Sequence, residues 1–483
     1  MKCSLVWFRR DLRVHDHGPL LSAAASGFPV VGVYCFDPRE YGMNEFGFSK
    51  TGIHRAQFLL ESVAELRRNM NKLGFKLIVR MGKPEVILSQ LISNLEIQEI
   101  HYHIELGSEE TTVEQFVRSM NTGCTFHGYY GHSLIHPEDL PFTVERLPDL
   151  YTPFQKQILQ SEPGYIRKLL PLPMKGSSFV DVEEGRIPTE AELGLSAIPT
   201  NKSLASGISL IRGGSAEGRK RLRYYFYEGN FLQQYQDTRN GLLQRDDSSK
   251  LSPYLALGCL SPRYVYWSLM DYEAERGVHS STKMFKSELL WRDFFWYVHM
   301  KYGNRIFAQS RLSGTSFQGT TDSNLIQAWM NGETGYPIVD ANMRELRATG
   351  WMSNRGRQIT SSFLAKNLGI DWRVGAAWFE SCLLDYDVSV NYGNWCYTSG
   401  VGNDSMPYRL FNVTKQGKEY DSNGRYAKHW LPELKSVPSE RIYDVPTFSL
   451  FEQLEYGLML GEHYPYPIID WSESVQRYRQ RTN

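Results

Sequence analysis

The chain has 483 residues, of which 41% are apolar and 22% are charged, and its formal net charge is zero. Its length indicates about two to three domains of ordinary size. A protein that coats nucleic acid would be strongly basic, so any contact with nucleic acid here must use a local basic patch.

The sequence indicates neither a membrane protein nor a secreted one. No uninterrupted apolar run approaches the ~18 residues needed for a membrane span. The N-terminus, MKCSLVWFRRDLR, has no long apolar segment before its charges. The six cysteines are scattered without a CxxC pair, which favours reduced thiols and argues against zinc. We therefore expect no bound metal, and a location in the cytoplasm or another reducing compartment.

Strand and helix patterns alternate over residues 1–135. Runs of strand length are CSLVWF, FPVVGVYCF, KLIVR and IQEIHYHI. The segment GIHRAQFLLESVAELRRNMNKLG has apolar residues at helical spacing and a stop signal at Gly74. This alternation predicts an α/β domain with a parallel sheet and helices on both faces. No GxGxxG or GxxxxGKS/T motif is present, so the usual dinucleotide and P-loop interpretations lack support.

Prolines recur over residues 136–212, which predicts a long, mostly irregular connector on the surface. Helical patterns dominate residues 213–483, and no strand-rich segment intervenes. The helical segments include GRKRLRYYFYEGNFLQQYQ, STKMFKSELLWRDFFWYVHMKYG, SNLIQAWMNG, RGRQITSSFLAKNLG and DWRVGAAWFESCLL. We therefore predict that residues 213–483 form a second, all-α domain.

One predicted helical face combines charges with aromatic rings. In FKSELLWRDFFWYVHM, helical spacing places five side chains on one face: Glu288, Trp291, Arg292, Phe295 and His299. One interpretation is an amphipathic helix with an internal Glu288–Arg292 pair at i, i+4. The alternative is a pocket wall that offers a carboxylate beside aromatic surface, which suits a flat heterocycle.

A serine-rich segment, SSKLSPYLALGCLSPR, contains two predicted helix starts. Ser252 before Pro253 and Ser261 before Pro262 are each typical of an N-cap followed by proline at the first helical position. Hydroxyls, free backbone N–H groups and Lys250 make a good diphosphate cradle at the first of these starts. Serine-rich loops before helices are also common without a ligand.

Another polar segment, TGWMSNRGRQ, brings four polar side chains to a predicted helix start: Asn354, Arg355, Arg357 and Gln358. A solvated basic turn is the plain interpretation of this pattern. From the segment alone, neither a ligand nor a role follows.

Two acids in DYDVSVNYGNWCY follow the helix that Asp371 is expected to cap. Asp385 and Asp387 lie just past its predicted C-terminal end, near the negative pole, which is unfavourable for acids. A DxD pair can hold a metal in glycosyltransferases, or it can cap a helix. Acids at this place need a donor, such as a ligand hydroxyl, an amide or an arginine.

Taken together, these motifs resemble the photolyase/cryptochrome flavoprotein family. The resemblance covers essentially the whole chain and rests, in this order, on WFRRDLRVHDH, SSKLSPYLALGCLSPR, ELLWRDFFW, TGYPIVDANMRELRATGWMSNRGRQ and DWRVGAAWFESCLLDYDVSVNYGNWCY. The fourth motif is most similar to DASH-type cryptochromes. The resemblance implies an α/β domain followed by a helical domain that holds FAD non-covalently in a U-shaped conformation.

The resemblance also implies roles for individual residues at the cofactor. The positions that match the diphosphate-binding set are Tyr235, Ser248, Ser249, Lys250, Leu251 and Ser252. Those that match the wall of the flavin and substrate cavity are Glu288, Trp291, Arg292 and Phe295. Further flavin contacts are implied for Asn354, Arg357, Asp385 and Asp387. Asn391 matches the residue that faces flavin N5 and governs its protonation. Trp395 and Trp372 match the first two members of a tryptophan chain that carries electrons to the flavin.

The same resemblance implies a DNA substrate. Photolyases bind a pyrimidine dimer flipped into the cavity and split its cyclobutane ring with an electron from photoexcited reduced flavin. Glu288 and Asn354 match groups that hydrogen-bond the dimer, and Trp291 matches the indole that packs against it. Basic residues at the cavity mouth, as phosphate binding requires, are matched by Arg239, Arg355 and Arg409.

This sequence departs from the typical photolyase at two cavity positions. Tyr397 replaces a second tryptophan and Gln358 replaces a methionine, so the cavity becomes more polar and loses stacking area. Stacking contributes ~1–3 kcal/mol per base, so this loss can outweigh the few kcal/mol needed to flip a base from duplex. We therefore predict efficient repair in single-stranded DNA and poor repair in duplex.

Two further features are expected from the resemblance. The segment around Phe317 lacks the outer tryptophan of the electron chain, and Trp351 and Trp329 are the alternative stand-ins. A folate antenna, 5,10-methenyltetrahydrofolate (MTHF), is implied in the α/β domain, with Glu109 of GSEETTVEQF as the candidate pterin ligand. The alternative for Glu109 is a solvated acidic helix start.

Three functions are considered on the sequence alone. The presence of Glu288, Trp291 and Asn354 counts against one of them, a plain nucleotide-binding protein with a degenerate flavin site, so two compete. One is a light-driven repair enzyme for dimers in single strands, acting as a monomer in a reducing, DNA-containing compartment. The other is a blue-light photoreceptor that binds DNA and regulates transcription with little or no repair. The chain closes on RQRTN without the long extension that signalling cryptochromes often use, which favours repair.

Overall fold

The computed structural model describes residues 2–160, 164–176, 180–196, 211–310, 312, 319–406 and 408–482. Its sheet comprises β1 (Cys3–Phe8), β2 (Val30–Phe36), β3 (Lys76–Met81), β4 (Ile97–His103) and β5 (Thr125–Tyr129). The five strands are parallel, in the order β3-β2-β1-β4-β5. The predicted parallel sheet is confirmed, and β5 is an edge strand that the sequence patterns did not show.

Both faces of the sheet are covered, as a parallel sheet requires. Alternate residues of β1 point to opposite faces: Val6 and Phe8 join one hydrophobic cluster, while Leu5 and Trp7 join another. Every residue of β1 and β2 is buried. The four helices of this part are α1 (Gly18–Ala25), α2 (Ile53–Lys72), α3 (Pro84–Asn94) and α4 (Ser108–Met120).

The described residues in the remainder of the chain are mainly helical, in agreement with the predicted fold class. Its helices are α5 (Tyr151–Leu159), α6 (Ser215–Arg223), α7 (Tyr235–Thr238), α8 (Ser252–Ala256), α9 (Pro262–Arg276), α10 (Ser280–Tyr302), α11 (Ser323–Asn331), α12 (Pro337–Thr349), α13 (Asn354–Ser362), α14 (Trp372–Cys382), α15 (Val388–Ser399), α16 (Val413–Tyr420), α17 (Arg425–Trp430), α18 (Leu450–Tyr456) and α19 (Trp471–Thr482). Short 3₁₀ turns are Pro38–Glu40, Pro137–Asp139, Val144–Arg146, Phe231–Gln234, Gly303–Phe307, Pro432–Leu434 and Ser439–Thr447.

Two predicted helices change hydrogen-bonding pattern within their length. The helix α6 passes into a π-helical turn at Tyr224–Glu228, and α13 passes into another at Phe363–Leu368. Such wider turns alter the direction in which the following side chains point. The patterns GRKRLRYYFYEGNFLQQYQ and RGRQITSSFLAKNLG therefore each correspond to several short elements rather than to one helix.

The predicted connector is less irregular than expected. Residues 136–212 include α5, whose Pro153 lies in the first turn, where a missing N–H breaks no helical bond. Part of this connector, residues 197–210, lies outside the described residues, as does Phe317. The boundaries 1–135, 136–212 and 213–483 stay predictions.

Of the two helix caps predicted in the serine-rich segment, one is confirmed and one is wrong. Ser261 caps α9 by accepting a hydrogen bond from the N–H of Tyr264 at 3.0 Å, as predicted. The expectation for Ser252 is wrong, because α8 begins at Ser252 and Leu251 takes the cap position. The Ser252 hydroxyl donates instead to Asp385, which lies far away in sequence. Among the described residues, no helix is both long and apolar enough to cross a membrane.

Candidate functional site

A cavity of ≈ 380 Å³ lies among the helices of the second half of the chain. Most of the predicted site residues line it: Tyr235, Arg239, Ser248, Ser249, Lys250, Leu251, Ser252, Glu288, Trp291, Arg292, Phe295, Asn354, Arg357, Gln358, Asp385, Asp387, Asn391, Trp395 and Tyr397. Three predicted residues do not line it: Trp372, Arg355 and Arg409. Elements distant in sequence thus converge on one cavity.

The carboxylate of Asp385 ties two walls of the cavity together. It accepts hydrogen bonds from Arg357 Nη2 at 2.9 and 3.0 Å and from the Ser252 hydroxyl at 2.6 Å. Its side chain is only 4% exposed, so the arginine stabilises a charge that burial alone would disfavour. The donor expected for Asp385 is therefore present within the protein.

Asp387 has a different position relative to the helices than the sequence suggested. It caps α15 by accepting a hydrogen bond from the N–H of Val390 at 3.1 Å. The positive end of α15 favours this acid, so the predicted unfavourable dipole does not apply to it. Arg292 Nη2 also lies 3.2 Å from Asp387 Oδ2. Of the alternatives for this pair of acids, helix capping is confirmed for Asp387.

The interpretation that Glu288 and Arg292 form an internal ion pair is wrong. Arg292 pairs with Asp387 and also donates to the backbone carbonyl of His132. Glu288 pairs with Arg239, whose Nη1 lies 2.6 Å from Glu288 Oε1. Both side chains line the cavity, so this face of α10 is a pocket wall. His299, further along the helix, is buried against Ser389 and does not contribute to the wall.

Glu288 is a carboxylate in a largely buried setting. Burial raises its pKa, while the ion pair with Arg239 opposes that rise. An acid of this kind is suited to hydrogen bonding with a ligand that replaces its lost water.

Aromatic rings form the adjacent part of the wall. Trp291 stacks on Tyr151 of α5, with ring centroids 3.7 Å apart and an interplanar angle of 10°. Its edge faces Tyr397, at a centroid distance of 5.7 Å and an angle of 80°. Phe294 and Phe295 also contact Trp291, with ring centroids 5.8 and 5.4 Å away, so four rings fix its orientation. Tyr397 lines the cavity beside it.

The serine-rich segment brings a buried cation to the cavity. Lys250 Nζ lies 4.1 Å from the centroid of the Trp351 ring, and burial lowers the pKa of this lysine. Lys250 also has a left-handed backbone conformation, with φ of 56°, which is uncommon for a residue other than glycine. A desolvated cation beside serine hydroxyls and Arg357 is a suitable anion cradle.

Three guanidinium groups lie close enough to interact, and one of them, that of Arg239, lines the cavity. Burial lowers the pKa of Arg355, Tyr420 and Glu419 oppose this change, and the charges of Arg409 and Arg239 lower the pKa further. Arg355 also lies over the ring of Tyr420, with 4.5 Å between its guanidinium carbon and the ring centroid. Like charges held together in this way favour a bound anion, such as a phosphate.

Of the predicted electron chain, Trp395 lines the cavity and Trp372 does not. Trp395 is 2% exposed, and its six-membered ring packs closely on Gly375, one turn after Trp372. Trp372 is fully buried and contacts Tyr392, with ring centroids 6.1 Å apart. Trp329, one suggested outer member, is fully buried against Trp395 at 6.3 Å.

Trp351, the other suggested outer member, is only 6% exposed and lines the cavity itself. Neither tryptophan stand-in therefore reaches the surface. Tyr392 is half-buried.

Sequence reasoning missed several cavity residues. Trp351 lies within the segment TGWMSNRGRQ and its ring contacts Lys250, while Asn394 follows Asn391 at the i+3 position on the same face of α15. The helical spacing from Asn391 was a signal for Asn394. Asn391 itself donates to the carbonyl of Ala376 at 3.0 Å, which fixes its amide.

The candidate antenna residue lies away from this cavity. Glu109 is in the first turn of α4, its side chain is 68% exposed, and it accepts a hydrogen bond from Lys50. This position agrees with the solvated helix start considered above. A role for Glu109 in folate binding stays a prediction.

Comparison with known proteins agrees with the fold and the cavity. Residues 4–174 match the family described as DNA photolyase, and residues 285–483 match the FAD binding domain of DNA photolyase. Similar proteins are the "Cryptochrome DASH" of Gloeobacter violaceus, 47% identical over 98% of this chain and 94% of the relative, and that of Xenopus laevis, 44% identical over 97% and 90%.

Solved structures are also similar to this chain. The Synechocystis sp. cryptochrome superposes with a TM-score of 0.95 at 45% identity, covering 99% of both chains. A class III photolyase from Agrobacterium tumefaciens gives a TM-score of 0.85 at 28% identity, covering 100% of this chain and 97% of the other. The chain therefore belongs to the photolyase/cryptochrome family of flavoproteins. Within that family it is most like the DASH-type cryptochromes.

Proposed function

We propose that this protein is a blue-light-driven FAD protein that binds DNA and repairs cyclobutane pyrimidine dimers, mainly in single strands. One observation carries the proposal: one cavity is lined both by two acid–arginine pairs and by a carboxylate beside aromatic rings that suit a nucleobase. We call the part with the Asp385–Arg357 and Asp387–Arg292 pairs the inner wall, and the part with Glu288, Trp291 and Tyr397 the rim.

The residues of the inner wall fit FAD. Lys250 and Arg357, with the hydroxyls and N–H groups of residues 248–252, would hold the diphosphate, and Asp385 would orient that set. Asp387 and Asn391 would contact the adenosine and isoalloxazine parts. When bound, FAD in its reduced form supplies the photoexcited electron that splitting of the cyclobutane ring requires.

The rim would hold the dimer beside the cofactor. Glu288 and Asn354 would hydrogen-bond the paired pyrimidines, and Trp291, held by Tyr151, would offer a stacking face. Asn354 is exposed at the start of α13, where it can reach an entering base. The arginines at positions 239, 355 and 409 would contact the phosphates on either side.

The preference for single strands follows from the rim. Tyr397 and Gln358 offer less stacking area than a tryptophan and a methionine would. Binding of a dimer in single-stranded DNA requires no base pairs to open. In duplex DNA, stacking and hydrogen bonding in the cavity must offset the free energy of opening them.

Reduction of the bound flavin would use Trp395, which lines the cavity, and the aromatic residues near it. The route we propose runs from Tyr392 through Trp372 to Trp395. It follows the ring contact of Trp372 with Tyr392 and the packing of Trp395 on the same helix, α14. Tyr392 is the half-buried end of this series.

Three finer features belong to the same proposal. A folate antenna would bind near Glu109 and Lys50 in the α/β part. The protein would act on DNA as a monomer. None of the six cysteines, all of which lie among the described residues, forms a disulfide, and this suits a reducing compartment that contains DNA.

A repair assay tests the proposal. The purified protein should be yellow, and after reduction it should restore thymine absorbance to a UV-irradiated oligothymidylate under blue light but not in the dark. A colourless preparation would contradict the whole proposal. A yellow protein that binds the oligonucleotide without repairing it would leave the photoreceptor function instead.

The pair between Asp385 and Arg357 gives a prediction about cofactor retention. We expect Asp385→Asn to weaken FAD binding by roughly tenfold to a hundredfold, since a hydrogen bond to a charged group contributes ~1.5–3 kcal/mol. The measurement is the dissociation constant of FAD, determined by fluorescence titration of the apoprotein.

Asp371→Asn is the matched control for that variant. It disrupts another buried Asp–Arg pair, between Asp371 and Arg373 at 2.6 Å, outside the cavity. FAD affinity should be unchanged there. Equal FAD affinity in wild type and Asp385→Asn would contradict the role given to Asp385.

A further inference from the structure

Outside the cavity, three potential metal ligands meet on one face of the sheet. Glu99 and His101 are alternate residues of β4, so they point the same way. His127 of the edge strand β5 is the register partner of His101. The two imidazole rings are stacked, with centroids 4.7 Å apart and an interplanar angle of 22°.

The three ligand atoms lie within 4.8 Å of one another, and two of their separations are close to those around a tetrahedral ion. A turn of the His127 ring out of its stack on His101 would direct both imidazole lone pairs to one ion. Glu99 Oε1 is 3.1 Å from His101 Nε2, and Glu99 Oε2 is 3.6 Å from His127 Nε2. Bonds of ~2.0–2.2 Å around Zn²⁺ would place neighbouring ligand atoms about 3.3 Å apart. The side chain of His127 is 41% exposed, so an ion and a water ligand can enter from that side.

The polar atoms that face each other here lack hydrogen bonds. His101 is 4% exposed, and both its Nε2 and Glu99 Oε1 have no hydrogen-bond partner among the residues that the structure describes. His101 Nδ1 lies 3.0 Å from the Tyr129 hydroxyl, which can accept a hydrogen bond from the Nδ1–H group. In that tautomer the Nε2 lone pair is left for an ion, as in a metal-binding histidine held by an outer partner.

A second cluster, Asp11 with His17 and His103, does not have these properties. His17 Nδ1 accepts a hydrogen bond from the N–H of Leu20 at 3.1 Å, so its Nε2 must carry the proton. That Nε2 donates to Asp11 Oδ2 at 2.7 Å. His17 has no free lone pair, and this buried cluster is an internal hydrogen-bond network.

We propose that Glu99, His101 and His127 form a binding site for a divalent transition-metal ion of the zinc class. Two imidazoles and one carboxylate suit Zn²⁺, whereas Mg²⁺ and Ca²⁺ prefer oxygen ligands alone. The scattered cysteines argue against a thiolate zinc site, and this site uses none of them. A bound ion would join the edge strand β5 to β4.

Zinc titration of the full, FAD-loaded chain tests this site. After treatment with a chelator and desalting, the protein should bind one Zn²⁺ per chain in competition with a chromophoric chelator. Co²⁺ in its place should give the visible absorption of a tetrahedral site. Loss of a ligand in His127→Ala or Glu99→Gln should weaken Zn²⁺ binding by more than about tenfold.

His463→Ala is the matched control, since His463 is another partly exposed histidine beside a carboxylate, 3.9 Å from Glu462. It should leave zinc affinity unchanged. Absence of stoichiometric Zn²⁺ binding, or equal affinity in wild type and both ligand variants, would overturn the proposal. Flavin content should be the same in all these proteins, so this test is independent of the proposed function.

Discussion

Replacing Trp395 by phenylalanine is expected to abolish photoreduction of the bound flavin, while repair by protein reduced beforehand is largely retained. The change removes the oxidisable indole that lies between the cavity and Trp372 and keeps an aromatic ring in the same buried space. The rate of bleaching of the flavin absorbance under blue light, with an external reductant, should fall by more than about tenfold, or ~1.4 kcal/mol in activation free energy.

Trp329→Phe is the control. Trp329 is buried, as Trp395 is, and its ring centroid lies 6.3 Å from that of Trp395. Photoreduction should persist in that variant and should slow in Tyr392→Phe. Unchanged photoreduction in Trp395→Phe would show that another route dominates. Loss of photoreduction in Trp329→Phe would place that residue on the route.

Replacing Tyr397 by tryptophan is expected to raise repair of dimers in duplex DNA relative to repair in single strands. The larger ring would face the dimer opposite Trp291 and supply stacking that the wild-type rim lacks. Stacking of ~1–3 kcal/mol per base corresponds to roughly a 5- to 150-fold change in the ratio of the two rates. The measurement is initial repair rate on matched single- and double-stranded substrates.

Tyr397→Phe serves as the control for that variant, since it removes only the hydroxyl and keeps the ring area. Its duplex to single-strand ratio should stay close to that of the wild type. Equal repair of both substrates by the wild-type protein would contradict the assigned effect of Tyr397. An unchanged ratio in Tyr397→Trp would show that the limit on duplex repair lies elsewhere.

Much of the fold could be predicted because its elements carry strong apolar patterns. The buried strands β1 and β2 and the long helices α2 and α10 lie where the sequence placed them. The edge strand β5 was missed because its residues are partly exposed and lack an apolar run. The helix α5 was missed because the prolines around it resemble those of an irregular connector.

The pairing of charges could not be predicted from spacing. Glu288 and Arg292 stand at i, i+4, which favours a local pair worth only a few tenths of a kcal/mol. Each finds a partner from another element instead, because both lie at a cavity where buried charges need close counterions. Such choices depend on the tertiary fold and leave no periodic signal.

The place of Asp387 shows the same difficulty. The sequence indicated the end of α14, but it did not indicate that α15 begins at Val388, directly after Asp387. The dipole effect on an acid changes sign between the end of one helix and the start of the next. The dipole favours Asp387 because this residue caps the start of α15 and lies five residues past the end of α14.

The most direct test of the account is the fluorescence lifetime of the reduced flavin in the presence of oligothymidylate. If the cavity holds a dimer beside the cofactor and electrons pass between them, UV-irradiated oligothymidylate should shorten the lifetime, whereas the same unirradiated oligonucleotide should not. An unchanged lifetime, measured with the irradiated strand fully bound, would contradict repair by electron transfer in this cavity.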